Sequence, residues 1–149
     1  MEKKMKRIFT KGLVITFILS IMLTPVYAAS SEWSMTMSSE GRIVDGSKNG
    51  VYHKLDKGKV CISGTMKTID NKSIKGGVNK VHITLYNKTT GNYFGDVTVT
   101  PSEEIGGKVS ISGTYEESVG GGTKYYLYVW RGGSDGTALN VNKGTLKNK

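Results

Sequence analysis

The sequence predicts an all-β protein: an antiparallel β-sandwich, Ig-like or jelly-roll-like, of about seven or eight strands. Three observations carry this expectation. Beyond residue 28 no segment keeps a helical period, and the apolar residues fall in short runs rich in Val, Ile, Thr and Tyr. These runs alternate in polarity and are bounded by Gly, Asn and Asp, as half-buried strands require. Part of the pattern also occurs twice, which suits two sheets closing over each other.

Residues 1–28 read as a cleaved export signal and stand apart from the fold. Lys3, Lys4, Lys6, Arg7 and Lys11 form a positive head ahead of the apolar stretch Leu13 to Leu23. Pro25 ends that stretch, and Val26-Tyr27-Ala28 puts small residues at the positions a signal peptidase reads. The expected cut follows Ala28, with Ala29 as the close alternative. The 11-residue apolar run is shorter than the ~20 residues a bilayer-spanning helix needs, so no stable span is expected after cleavage. A secreted or cell-wall-associated bacterial protein follows from this reading.

The leader also changes the charge. The whole chain of 149 residues carries 21 basic and 12 acidic residues, a net charge of +9. Without the leader, 121 residues remain with 16 basic and 11 acidic, a net of +5. That length supports one domain with one modest core, residues 29–149. The composition, 37% hydrophobic with 9% aromatic, excludes a polytopic membrane protein and argues against a disordered chain. A single Cys excludes an internal disulfide and any multi-cysteine zinc site.

Strands are expected at Glu32–Ser38, Gly41–Val44, Lys59–Thr68, Lys80–Asn87, Tyr93–Thr100, Lys108–Tyr115, Lys124–Arg131 and Thr137–Asn142. Residues 58–66 (GKVCISGTM) match residues 107–115 (GKVSISGTY) at seven of nine positions. Lys80–Tyr86 then aligns with Lys124–Trp130, and Asp96–Thr100 with Ala138–Asn142. The expectation is a duplicated three-strand unit covering about residues 58–100 and 107–142. The Ser-Gly-Thr steps at 63–65 and 112–114 are expected to bend their strands from one sheet to the other. The clusters Gly76-Gly77, Gly106-Gly107, Gly120 to Gly122 and Gly132-Gly133 read as turns.

Alternation assigns faces. Val60, Ile62, Val109 and Ile111 should point inward, as should Val81, Ile83, Leu85, Tyr125, Leu127 and Val129. The opposite face then carries His82, Thr84 and Tyr86 on one strand and Tyr126, Tyr128 and Trp130 on the other.

A search for reaction chemistry yields little. His53 falls in an expected loop, and His82 lies mid-strand with no His or Cys at ligand spacing. No metal site, cofactor or catalytic residue is therefore assigned. Cys61 reads as a strand residue, or as the link of a disulfide-bonded dimer in an oxidising compartment. Glu103-Glu104 and Glu116-Glu117 are adjacent pairs, without the convergence a glycosidase requires. Asp135 is expected in a hairpin turn.

What remains is the aromatic row. Tyr126, Tyr128 and Trp130, with His82 and Tyr86, are the candidate ligand-binding residues. Exposed, they would form a flat platform of the kind that stacks on sugar rings. The alternative is a second packed face, covered by the N-terminal strands that carry Trp33 and Met35. The expected function is a non-catalytic module binding a cell-envelope glycan, a polyanion or a protein partner. A bacteriocin-like membrane-active toxin is the second reading, and a small hydrolase using His82 or His53 the third. Nucleic acid is not an expected partner, because no recognisable binding motif accompanies the charge.

Overall fold

The computed structural model describes residues 29–72 and 76–149; the proposed export signal lies outside the described residues. Among the described residues nine strands form: β1 Ser30–Met37, β2 Ile43–Asp45, β3 His53–Gly58, β4 Val60–Asn71, β5 Val81–Asn87, β6 Tyr93–Val99, β7 Lys108–Thr114, β8 Val119–Arg131 and β9 Thr137–Asn148. They pair antiparallel into two sheets. One has the order β1-β9-β4-β7; the other runs β2-β8-β5-β6, with β3 also pairing β8. The sandwich expected from the sequence is therefore the observed architecture.

Alternation fills the space between the sheets. Val60, Ile62, Met66, Ile111, Leu139, Val141 and Leu146 from the first sheet meet Val81, Ile83, Leu85, Tyr125, Leu127 and Val129 from the second. Each such Ile or Leu, fully removed from water, contributes roughly 1.5–3 kcal/mol relative to an exposed one. The inward assignments made from alternation all hold, with Val109 only partly buried against the core.

The corresponding strands of the two similar segments pair with each other. In β4 and β7, Ser63 lies opposite Ser112, Ile62 opposite Gly113, and Gly64 opposite Ile111. Each isoleucine thus stands beside the space left by the other strand's glycine. In β5 and β8 the equivalent residues Thr84 and Tyr128 lie opposite each other. The third strands differ: residues 96–99 run in β6 beside β5, whereas residues 138–142 run in β9 between β1 and β4. Nor do the Ser-Gly-Thr steps carry a strand across, because β4 and β7 each remain in one sheet throughout.

The irregularity at this level lies in β9 instead. Trp33 pairs with Gly144 and Met35 with Val141, while on the other side Ser63 pairs with Thr145 and Met66 with Val141. Both neighbours therefore see one extra residue in β9 near Asn142–Gly144. Trp33 accounts for it: its indole is buried over Gly144, and its Nε1 donates to the Ser63 carbonyl at 3.2 Å. A Cβ on Gly144 would lie 2.3 Å from that nitrogen.

Two further sequence expectations are corrected. Gly120 to Gly122 are not a turn but part of β8, where β3 pairs. At Gly121, φ is +88°, and a Cβ there would come within 3.1 Å of the Lys57 backbone nitrogen. His53 is not in a loop either. It opens β3 and is buried opposite Tyr125, with its Nδ1 2.8 Å from Ser31 Oγ. Burial lowers its pKa, so the folded chain favours the neutral imidazole.

Asp135 is also more than a turn residue. The Arg131 and Asp135 side chains are 0% and 2% exposed and meet at 2.6 Å. Arg131 Nη1 also donates to Thr137 Oγ1, its Nε to the Gly41 carbonyl, and its Nη2 to the carbonyls of Ser38 and Ser39. Asp135 in turn accepts from the Asn79 and Thr137 backbone amides and from the Thr137 hydroxyl. Burial by itself raises the Asp135 carboxyl, but those hydrogen bonds and the Arg131 charge outweigh it and hold it below the usual value.

Two outcomes follow. Gly144→Ala displaces the Trp33 indole and destabilises the domain by about 1–3 kcal/mol, read from urea midpoints and red-shifted tryptophan emission. Asp135→Asn leaves Arg131 buried without its counter-charge and costs about 3–5 kcal/mol. Because the Asp135 carboxyl is lower in the folded than in the unfolded chain, its contribution is complete above the ordinary value of 3.8 and fades as pH falls through the folded value. The Asn variant should lose that acid-side dependence in urea titrations between neutral pH and pH 2.

Candidate functional site

The structure gathers all five sequence-selected residues on the outer face of the β2-β8-β5-β6 sheet. His82 pairs across strands with Trp130, Thr84 with Tyr128, and Tyr86 with Tyr126, so their side chains emerge side by side. All five candidates are half-buried, neither fully open nor covered. Trp33 and Met35 do not cover them, since both belong to the core between the sheets.

The rings do not lie as a flat platform. His82 stacks on Trp130 with centroids 4.0 Å apart and planes 9° from parallel. Tyr86 stacks on Tyr126 at 5.6 Å and meets Tyr128 edge-on at 6.2 Å. The expected platform is instead a cluster in which one face of the Trp130 indole is already taken by imidazole. Residues directly opposite on neighbouring strands are close enough for rings to pack on one another, and these do.

A polar chain fastens the cluster from below. Trp130 Nε1 donates to Thr84 Oγ1 at 3.1 Å, and the Thr84 hydroxyl donates to Asp96 Oδ1. The other Asp96 oxygen, Oδ2, lies 3.5 Å from His82 Nδ1. Thr84 is buried, so its hydroxyl sets the indole angle from within the sheet.

Several members were not singled out from the sequence. Asp96 arrives by hairpin register, since it lies opposite Thr84 in β6. Tyr93 lies opposite Tyr86, and their rings pack 5.7 Å apart. Tyr52 meets Tyr126 edge-on at 6.4 Å, beneath the Lys124 ammonium at 4.8 Å. Counting both arms of the 81–99 hairpin would have found Asp96 and Tyr93; nothing local marked Tyr52. The Tyr126 phenol is held above its ordinary pKa by partial burial first and then by the nearby Asp45 charge. Tyr93 is raised similarly, by desolvation and then by Asp96 and Glu116. Both remain neutral hydroxyls at neutral pH.

Beside the cluster, Arg42, Ile43, Tyr128, Trp130 and Gly132 line an open depression. Ile43 pairs with Trp130 across the β2–β8 ladder and is 55% exposed, and Arg42 is pinned at the rim by donating to the Gly132 carbonyl at 3.0 Å. An apolar wall, two aromatic rings and a guanidinium therefore border one hollow.

Elsewhere, Cys61 is half-exposed on β4, with Sγ 3.3 Å from Thr114 Oγ1. Nothing in the structure supports the disulfide-linked dimer. Among the described residues no group of three or more His, Cys, Asp or Glu is placed to hold a metal ion.

No family model matches the chain, and no curated protein matches it. Solved structures show distant likenesses to it. The chain is similar to a carbohydrate binding module of Cellvibrio mixtus lichenase 5A solved with cellotriose, at 10% identity and a TM-score of 0.46, covering 83% of this chain and 92% of that one. It is also similar to the CBM22-1 xylan-binding domain of Paenibacillus barcinonensis Xyn10C, at 14% identity and a TM-score of 0.47, covering 79% and 70%. A third likeness is to an Arthrobacter globiformis isomalto-dextranase complexed with panose, at 16% identity and a TM-score of 0.46. There 70% of this chain is covered but only 16% of the longer enzyme. At these identities and scores the likenesses assign neither a family nor a ligand.

Thr84→Val tests the polar chain. It strands the Trp130 N–H and one Asp96 oxygen, and should cost about 1–3 kcal/mol in urea unfolding while leaving the β-sheet circular dichroism unchanged.

Proposed function

We propose that this protein is a small exported, non-catalytic module that holds a cell-envelope glycan on the outer face of its β2-β8-β5-β6 sheet. The observation that supports this most is the hollow between Ile43 and the Trp130–Tyr128 pair, bordered by Arg42. Sugars present C–H faces that pack on aromatic and aliphatic groups, and hydroxyls that need donors and acceptors at the same spacing. Here rings, an isoleucine and a guanidinium share one border, and the Trp130 indole is fixed by Thr84, itself bonded to Asp96, rather than free to collapse. Immobilised side chains lose little further entropy when a ligand arrives. The hydrolase reading gains nothing comparable: the groups that meet His82 are the Trp130 ring and the Asp96 carboxylate.

Purified protein should be retained by insoluble cell-wall polysaccharide or shifted in affinity gels containing soluble glycans. Tyr128→Ala combined with Trp130→Ala should weaken that retention at least about tenfold, the loss of one to two stacking contacts. Thermal unfolding of the double variant checks that the sandwich persists. Undiminished retention by a folded double variant would exclude this face as the site.

A further inference from the structure

We infer that export processing cuts the chain between Ala28 and Ala29, and that Asp56 is the built-in counter-ion for the α-ammonium this cut creates. The inference rests on the export reading and chooses between the two cleavage positions that the sequence leaves open.

Ala29 is already held by the folded domain. Its backbone nitrogen donates to Asp56 Oδ2 at 3.0 Å, and its carbonyl accepts from the Asn148 amide at 3.0 Å. Asn148, 4% exposed, grips residue 56 as well: its Oδ1 accepts from the Asp56 amide at 2.8 Å, and its Nδ2 donates to the Asp56 carbonyl at 2.7 Å. Lys149 closes the corner by donating its backbone amide to the Lys59 carbonyl at 3.0 Å. The backbone that carries the Asp56 carboxylate is thus fixed, and the carboxylate meets the nitrogen of the residue immediately after the signal.

Hydrolysis by a signal peptidase adds one water across the Ala28–Ala29 bond. The new carboxylate leaves with Ala28 on the leader, and Ala29 keeps the amine, which takes a proton from solvent. One neutral amide N–H facing Asp56 becomes an ammonium with three donors, and the hydrogen bond becomes charge-assisted. A cut one residue later would discard the nitrogen that Asp56 holds and the carbonyl that satisfies Asn148.

The test expresses the full chain in a secreting bacterial host and identifies the first residue of the exported protein by intact mass and N-terminal sequencing. Ala29 is the expected first residue. A start at Ser30, or an uncut chain, overturns the processing assignment. The α-amine is then titrated through its pH-dependent reaction with an amine-selective reagent, quantified on the N-terminal peptide. It should titrate about half a pH unit above the ordinary ~7.7–8.0, return to that range in Asp56→Asn, and rise again in Asp56→Glu. An Ala29 start with the same titration in all three proteins overturns the ion pair while leaving the export reading intact.

Discussion

The buried Arg131–Asp135 pair is the constraint on which the proposed binding face depends. Arg131 ends β8, the strand that carries Tyr126, Tyr128 and Trp130. From that position its guanidinium holds the Ser38–Gly41 connection between β1 and β2, while Asp135 holds the approach to β5 through Asn79. Two segments, Ser38–Gly41 and Asp135–Thr137, are therefore fixed to the end of β8 by a single planar group whose donors all have partners, and Asp135 extends the hold to Asn79. β2 is only three residues long and borders the hollow beside Trp130. Such a short edge strand cannot hold its place by its own ladder, so the connection anchored on Arg131 sets where Ile43 and Arg42 stand.

Buried charges of this kind are expensive to desolvate, and their return is specificity of arrangement as much as stability. Here the arrangement is the position of the Ile43 wall relative to the rings. The Trp130 indole is ordered by a second device, its hydrogen bond to Thr84, which in turn bonds Asp96. Stacking His82 on Trp130 uses ring surface that an open platform would offer, and leaves the remaining indole surface and the hollow beside it for the proposed ligand. The proposed site is narrower than a bare aromatic row, and better defined.

Much of this was legible in the sequence, because alternation of side chains is a local property. It placed Val81, Ile83 and Leu85 inside and His82, Tyr86, Tyr126, Tyr128 and Trp130 outside without knowledge of the neighbouring strands. What escaped was whatever depends on pairing over distance. β3 reads as polar loop in HKLDKG, because only His53 and Leu55 of its residues are fully buried, and Leu55 lies opposite Gly122 in a glycine-rich part of β8. Asp96 lies on the next strand and carries no local link to His82, yet the hairpin brings it to 3.5 Å. The third strands of the similar segments share a pattern but join different sheets, which no pattern of alternation distinguishes.

The crosswise placement of Ile62 beside Gly113 and Gly64 beside Ile111 has a consequence for folding fidelity. A strand can slip by two residues and keep its apolar face inward, so alternation alone does not forbid that error. In β4 and β7 such a slip would set Ile62 against Ile111 in one direction and Gly64 against Gly113 in the other. The first crowds two branched side chains where one fits; the second opens a gap beneath Trp33 and Val97, which occupy the space over those glycines. Two strands of nearly identical sequence would otherwise be prone to misalignment. The offset of large against small favours the correct alignment over either two-residue slip.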